Sequence, residues 1–194
     1  ILEKRIYHSA EKKGNEWKPL LVWKDVDRYI LKFPGNQYIK YGKWLMYLSN
    51  ERFMLEPKIT IRQTSDKIRA CYDNKGYYCQ NSLFIVHSDK IDLKFLLALL
   101  NSRLFEWLYY LSNPQKGKVF AEIKPSAIKN LPLKVRTEKE QQPFIKLVDR
   151  MLSLNKRLNE TKDEEEKIKI KKEIQKKSYW SKKGGWSKGY ERKI

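Results

Sequence analysis

Two hydrophobic periods divide this chain. From Lys58 to Thr64 apolar and polar residues alternate: Ile59 and Ile61 fall on one face of an extended strand, and Lys58, Thr60 and Arg62 on the other. The pattern predicts a half-buried strand with a basic outer row. Residues 68–72 and 77–86 flank Asp73-Asn74-Lys75-Gly76 and read as a β-hairpin whose turn places Gly76 at positive φ. The period then changes. Leu93, Leu96, Leu97, Leu100, Leu104 and Leu108 share one helical face, which predicts a helix from about Asp92, its N-cap, to Leu111, stopped by Asn113-Pro114. From about Pro143, Leu147, Met151, Leu154 and Leu158 recur at steps of four, three and four, a heptad seam. The Glu/Lys-rich stretch 160–177 carries that helix onward.

Upstream, Trp17–Trp23 and Tyr38–Gly42 read as strands around a Phe33-Pro34-Gly35-Asn36 turn, and Ile123–Val135 as a short helix with a proline-ended exit. The class expected is α+β: a mixed β-sheet globule with a leucine-rich helix, followed by a long coiled-coil-like helix. Residues 1–138 form the globule, 139–177 the heptad helix acting as spacer or docking arm, and 178–194 a disordered tail. The seam Leu147, Met151, Leu154 and Leu158 is expected to dock on another domain or a partner helix, with self-association as a weaker outcome.

Composition narrows the partner. A formal charge of +19 over 194 residues points to a polyanion, because each phosphate neutralised by Lys or Arg releases counterions. No apolar run is long enough to span a bilayer and no lipidation signature is present, so no membrane is expected. Cys71 and Cys79 flank the expected hairpin in diagonal register. With no zinc spacing and only His8 and His87 as imidazoles, they predict free thiols in a reducing cytoplasm and no metal. The chain starts at Ile1 with no secretory signal before it and reads as an excised fragment. No Walker A loop occurs. Glu165-Glu166-Lys167, which imitates a nuclease motif, lies in a charged helix and reads as a solvated face.

Basic residues interleave with polar and aromatic ones at Lys40, Lys43 and Trp44, at Lys58, Arg62 and Gln63, at Lys67 and Arg69, and at Lys116, Lys118 and Lys124. Lysine and arginine hold phosphates, whereas arginine, glutamine and asparagine read base edges. Arg62-Gln63 at a strand end is the expected base-reading pair, its plain alternative being a surface arginine with a glutamine in the ladder. Lys43, Lys58, Arg69, Lys116, Lys118 and Lys124 are the expected phosphate contacts. Asn81-Ser82 either faces DNA or bonds backbone beside the hairpin, and Asn101-Ser102 serves packing or local hydrogen bonding.

Several strings occur in a particular order. Asp25-Val26 with Arg28-Tyr29 comes first, then Tyr41-Gly42, Pro57-Lys58-Ile59 with Arg62-Gln63, Leu99-Leu100-Asn101-Ser102, Leu131-Pro132 and Glu140-Gln141. In that order they resemble the C-terminal specificity domain of TaqI-like and Eco57I-like adenine-specific DNA methyltransferases, over Val26 to Leu158. The resemblance implies a reader of double-stranded DNA in a restriction-modification enzyme. The parent would methylate adenine N6 with S-adenosylmethionine through a methyltransferase domain in cis, and some relatives also cut DNA. Such enzymes carry an Asn-Pro-Pro-Tyr type motif and a glycine-rich cofactor turn. Here the nearest string, Asn113-Pro114-Gln115-Lys116, is a helix stop, so no catalysis and no cofactor are expected in this fragment. Half of a type I restriction specificity subunit, or a helical interaction module with incidental charge, are the alternatives. RNA binding lacks an aromatic RNP-like motif.

Overall fold

A computed structural model describes residues 6–45, 50–114, 118 and 121–179. β1 (His8–Ser9), β2 (Trp17–Leu21), β3 (Val26–Asp27), β4 (Ile30–Leu31) and β5 (Tyr38–Lys40) precede a short helix, α1 (Glu51–Leu55). Next come β6 (Lys58–Arg62), β7 (Ala70–Asp73), β8 (Tyr78–Cys79) and β9 (Leu83–Val86). The helices α2 (Leu93–Leu100), α3 (Arg103–Ser112), α4 (Pro125–Lys129), α5 (Glu138–Glu160) and α6 (Glu164–Tyr179) complete the described chain. The α+β class is as the sequence pattern indicates.

The strand pairing differs from the expected hairpin. β7 and β9 do not pair with each other; both pair antiparallel with β6, giving the order β7-β6-β9. β8 leaves that sheet and runs parallel to β2, extending a second sheet ordered β1-β5-β2-β8. The turn itself forms. Gly76 has φ +71°, and the Asp73 carboxylate accepts the Lys75 and Tyr77 amides at 2.8 and 3.1 Å. Cys71 and Cys79 therefore lie on different sheets as free thiols.

This crossover buries Lys58 and Thr60 of the row read as basic and outward-facing. Ile59 and Ile61 point into the main core against Phe95, Leu97 and Leu100 of α2. On the other face, the second sheet and the β3–β4 hairpin cover β6 and β9. Leu21 and Val26 meet Cys71 and Leu83 there, and Leu20 and Tyr78 meet Met54 and Ile85. Lys58 is consequently 0% exposed, paired with Asp73 Oδ2 at 2.6 Å and donating to the Met54 carbonyl. Alternation along β6 assigns the faces correctly but cannot show that both are covered.

The leucine-rich helix breaks at Asn101-Ser102. Asp92 caps α2 by accepting from the Lys94 and Phe95 amides, and Ser102 caps α3 by accepting from Phe105 N–H at 3.1 Å. Asn101, 3% exposed, uses its side chain as a strand partner: Nδ2 donates to the Ala70 carbonyl at 2.9 Å and Oδ1 accepts the Ala70 amide at 3.2 Å. The bond is long-range rather than local, and it satisfies an outer-edge position of β7 that another strand would otherwise have to pair. Tyr29 donates its amide to the same Ala70 carbonyl at 3.0 Å, and Arg28 Nη2 donates to the Asn101 carbonyl. Tyr29 does so at φ 58°, a left-handed conformation uncommon for a bulky residue. The strings around Arg28-Tyr29 and Asn101-Ser102 thus meet at one clasp. After the break α3 buries Phe105 and Tyr109, which leaves Leu104 exposed instead of on the core face.

The C-terminal helix is two helices. Thr137 and Glu140 form a capping box at the start of α5. The helix stops at Thr161, and Asp163 then accepts the Glu165 amide as α6 begins. Ion pairs Arg150–Glu173 at 2.9 Å and Arg157–Glu166 at 2.7 Å set the two antiparallel. Val148 and Met151 pack in the main core with α2, and Leu147 packs partly against it. Leu154 is fully buried and Leu158 half-buried. The seam expected to dock outside the chain is used inside it, because the leucine face of α2 needs a cover and α5 supplies one. The boundary drawn at residue 138 runs through this shared core. Most of the stretch expected to be a disordered tail, 180–194, lies outside the described residues.

Candidate nucleic-acid interface

The open end of the β7-β6-β9 sheet gathers the side chains best suited to DNA. β6 ends at Arg62, opposite Leu83, so the pairing brings Gln80-Asn81-Ser82 beside Arg62-Gln63. Gln63 N–H donates to the Ser82 carbonyl at 3.0 Å, and the Gln63 carbonyl accepts Ile123 N–H at 2.8 Å. A Thr64–Glu122 bridge extends that contact and sets Lys124, the residue after Ile123, at the same edge. From the second sheet, Gln80 N–H donates to the Leu21 carbonyl at 3.0 Å, which brings the following turn, Trp23–Asp25, alongside. None of these neighbours is local in sequence.

Arg62 is the third member of the row Lys58, Thr60, Arg62 and the one that emerges from beneath the second sheet. Its guanidinium stacks over the Trp23 ring with 4.2 Å from Cζ to the ring centre, and Nε donates to the Thr64 carbonyl at 2.9 Å. Burial, and after it the nearby Arg69 charge, lowers the Arg62 pKa from its ordinary value; an arginine still stays a cation at neutral pH. Trp23 is 42% exposed. Its turn is held by buried Asp25, whose Oδ2 accepts Val22 N–H at 2.8 Å and Gln37 Nε2 at 3.2 Å. The Gln63 side chain is half-exposed and makes no hydrogen bond among the described residues, while Asn81 and Lys124 are exposed.

The expected phosphate contacts divide. Lys58 is removed by burial, and it also sits at the far end of β6 from Arg62. Arg69 directs Nη1 to both Asp27 oxygens, at 2.9 and 2.7 Å, and Nε to Ser65 Oγ at 3.2 Å, so its charge is neutralised within the fold. Lys43 is exposed, but β5 pairs Lys40 with Trp17 at the start of β2, the opposite end from Trp23. At a rise of ~3.3 Å per residue the two ends of β2 lie roughly 13 Å apart. Lys118 is exposed, and Lys116 falls outside the described residues. Sequence reasoning missed Trp23 and Gln80: the β2–β8 pairing brings Trp23 near Arg62, and the β6–β9 pairing brings Gln80 there.

A sequence model of the TaqI-like C-terminal specificity domain matches residues 18–133. The match covers more than half of the chain, and this chain belongs to that family. It spans β2 through α4 and so contains the whole Arg62 edge and the Ala70–Asn101 clasp. The class is a specificity domain, which serves DNA sequence recognition in restriction-modification enzymes. A search of curated proteins returns no match.

Proposed function

We propose that this chain reads a DNA sequence for an adenine-N6 methyltransferase joined to it in cis, with the Arg62 end of the β7-β6-β9 sheet facing the major groove. The observation that carries the reading is the convergence of Arg62, Gln63, Gln80, Asn81 and Lys124 on one edge inside the family region. Arginine, glutamine and asparagine are the side chains whose paired donors and acceptors match base edges, and lysine fixes the phosphate register. S-adenosylmethionine belongs to the proposed partner domain, because this sequence contains neither the Asn-Pro-Pro-Tyr type motif nor the glycine-rich turn that such chemistry uses. The heptad seam is folded against the globule, which takes from a helical interaction module the surface it would need.

With Lys58 and Arg69 engaged internally and Lys43 at the far end of β2, Lys116, Lys118 and Lys124 remain as phosphate contacts. At about 0.9 per phosphate they give a slope of roughly −2.7 in log K against log salt for duplex DNA. Binding to a duplex that is insensitive to salt would refute the reading, as would no binding at low salt. Sequencing upstream of Ile1 tests the parent: an in-frame adenine-methyltransferase core supports it, and a second recognition globule replaces it with the type I subunit.

A further inference from the structure

Resting on the proposed DNA-reading role, we infer that Trp23 is a positioning residue that makes Arg62 a guanine reader. A guanidinium is planar and carries five N–H donors, and it discriminates bases only when its fork is held in the plane of the base edge. Here two contacts hold the guanidinium. The Trp23 ring covers one face at 4.2 Å, and the Thr64 carbonyl takes Nε at 2.9 Å. Both terminal nitrogens then make no ion pair or hydrogen bond among the described residues. Asp27 is taken by Arg69, and Asp66 is exposed and not paired with Arg62. The platform is itself anchored, because buried Asp25 closes the Trp23 turn through Val22 N–H. An unpaired fork of this kind matches the O6 and N7 acceptors that guanine alone presents together in the major groove. Lysine at position 62 would keep the charge but lose both the plane and the fork.

The test selects binders from a randomised DNA duplex pool, using the full 194-residue chain as wild type, R62K, W23A and W23F. The wild type is expected to enrich a sequence containing a dominant guanine. R62K and W23A should lose that guanine preference by about tenfold or more, while preferences at other positions persist and W23F, which restores an aromatic face, recovers most of it. Replacing that guanine by 7-deazaguanine should weaken the wild type by a similar factor and leave R62K within about twofold. Retention of the guanine preference by W23A would overturn the inference, and so would an equal loss at every position, which marks a purely structural tryptophan. Enrichment of a sequence whose guanines ignore Arg62 would overturn it while leaving the DNA-reading role intact. No enrichment from the pool would remove both.

Discussion

Replacing Lys58 by methionine should destabilise the fold severely and leave its contact with DNA unchanged. The ammonium is fully buried, 2.6 Å from Asp73 Oδ2, and also donates to the Met54 carbonyl. Methionine fills similar volume, so the effect arises from the carboxylate left behind. Breaking one side of a buried ion pair typically costs about 3–5 kcal/mol. Asp73 keeps the Lys75 and Tyr77 amides as partners, which places K58M near the lower limit, about 3 kcal/mol. For a chain of this length that corresponds to a Tm lower by about 6–12 °C. Urea titration followed by tryptophan fluorescence reads the loss, and K58M/D73N should be more stable than K58M because the stranded charge is gone. DNA binding supplies the second arm. Under conditions where the variant is folded, its slope of log K against log salt should equal the wild type's, whereas K124Q should reduce the slope by about 0.9. A stability loss below about 1 kcal/mol, or a reduced salt slope in K58M, would mean that Lys58 is solvated and that the second sheet does not cover β6.

N101A removes both side-chain bonds to Ala70 and strands a buried edge amide, so equilibrium unfolding should show a loss of about 2–3 kcal/mol. S102A should cost about 1 kcal/mol as a lost helix cap. L154A truncates a fully buried side chain of α5 and should cost about 2–5 kcal/mol; a loss under 1 kcal/mol would return the seam to the surface. Burial pushes the Cys79 thiol up to about 12 and Cys71 higher still, so neither should react with a disulfide reagent at pH 8 until the chain is unfolded in urea. The sign follows. A thiol whose folded pKa is raised contributes stability that is complete below the unfolded value, about 8.5, and lost as pH rises through the folded one. Unfolding free energy should therefore fall with alkaline pH, and a C71A/C79A variant should lose less over the same range.

Local chemistry fixed much of this protein before any tertiary contact. Asp92 and Asn113-Pro114 bound the helical region, Asp73 and Gly76 make their turn, and alternation sorts Ile59 and Ile61 from Lys58, Thr60 and Arg62 onto opposite faces. These features depend on caps, φ preferences and side-chain period, which act within a few residues. Two helix breaks were also written locally, as Ser102 and as Thr161 with Asp163, but a continuous leucine or heptad period masked them. What no local pattern carries is which surfaces are paired. The pairing of β8 with β2 covers Lys58 and brings Trp23 to Arg62, the β6–β9 pairing brings Gln80, and the Thr64–Glu122 bridge brings Lys124, while Arg69 answers Asp27. Strand pairing joins backbones far apart in sequence, and a charge read as solvated from its own neighbours is reassigned once another layer displaces the water over it. The family was legible in the sequence; which of the basic residues the fold engages internally, Lys58 and Arg69, was decided only by tertiary pairing.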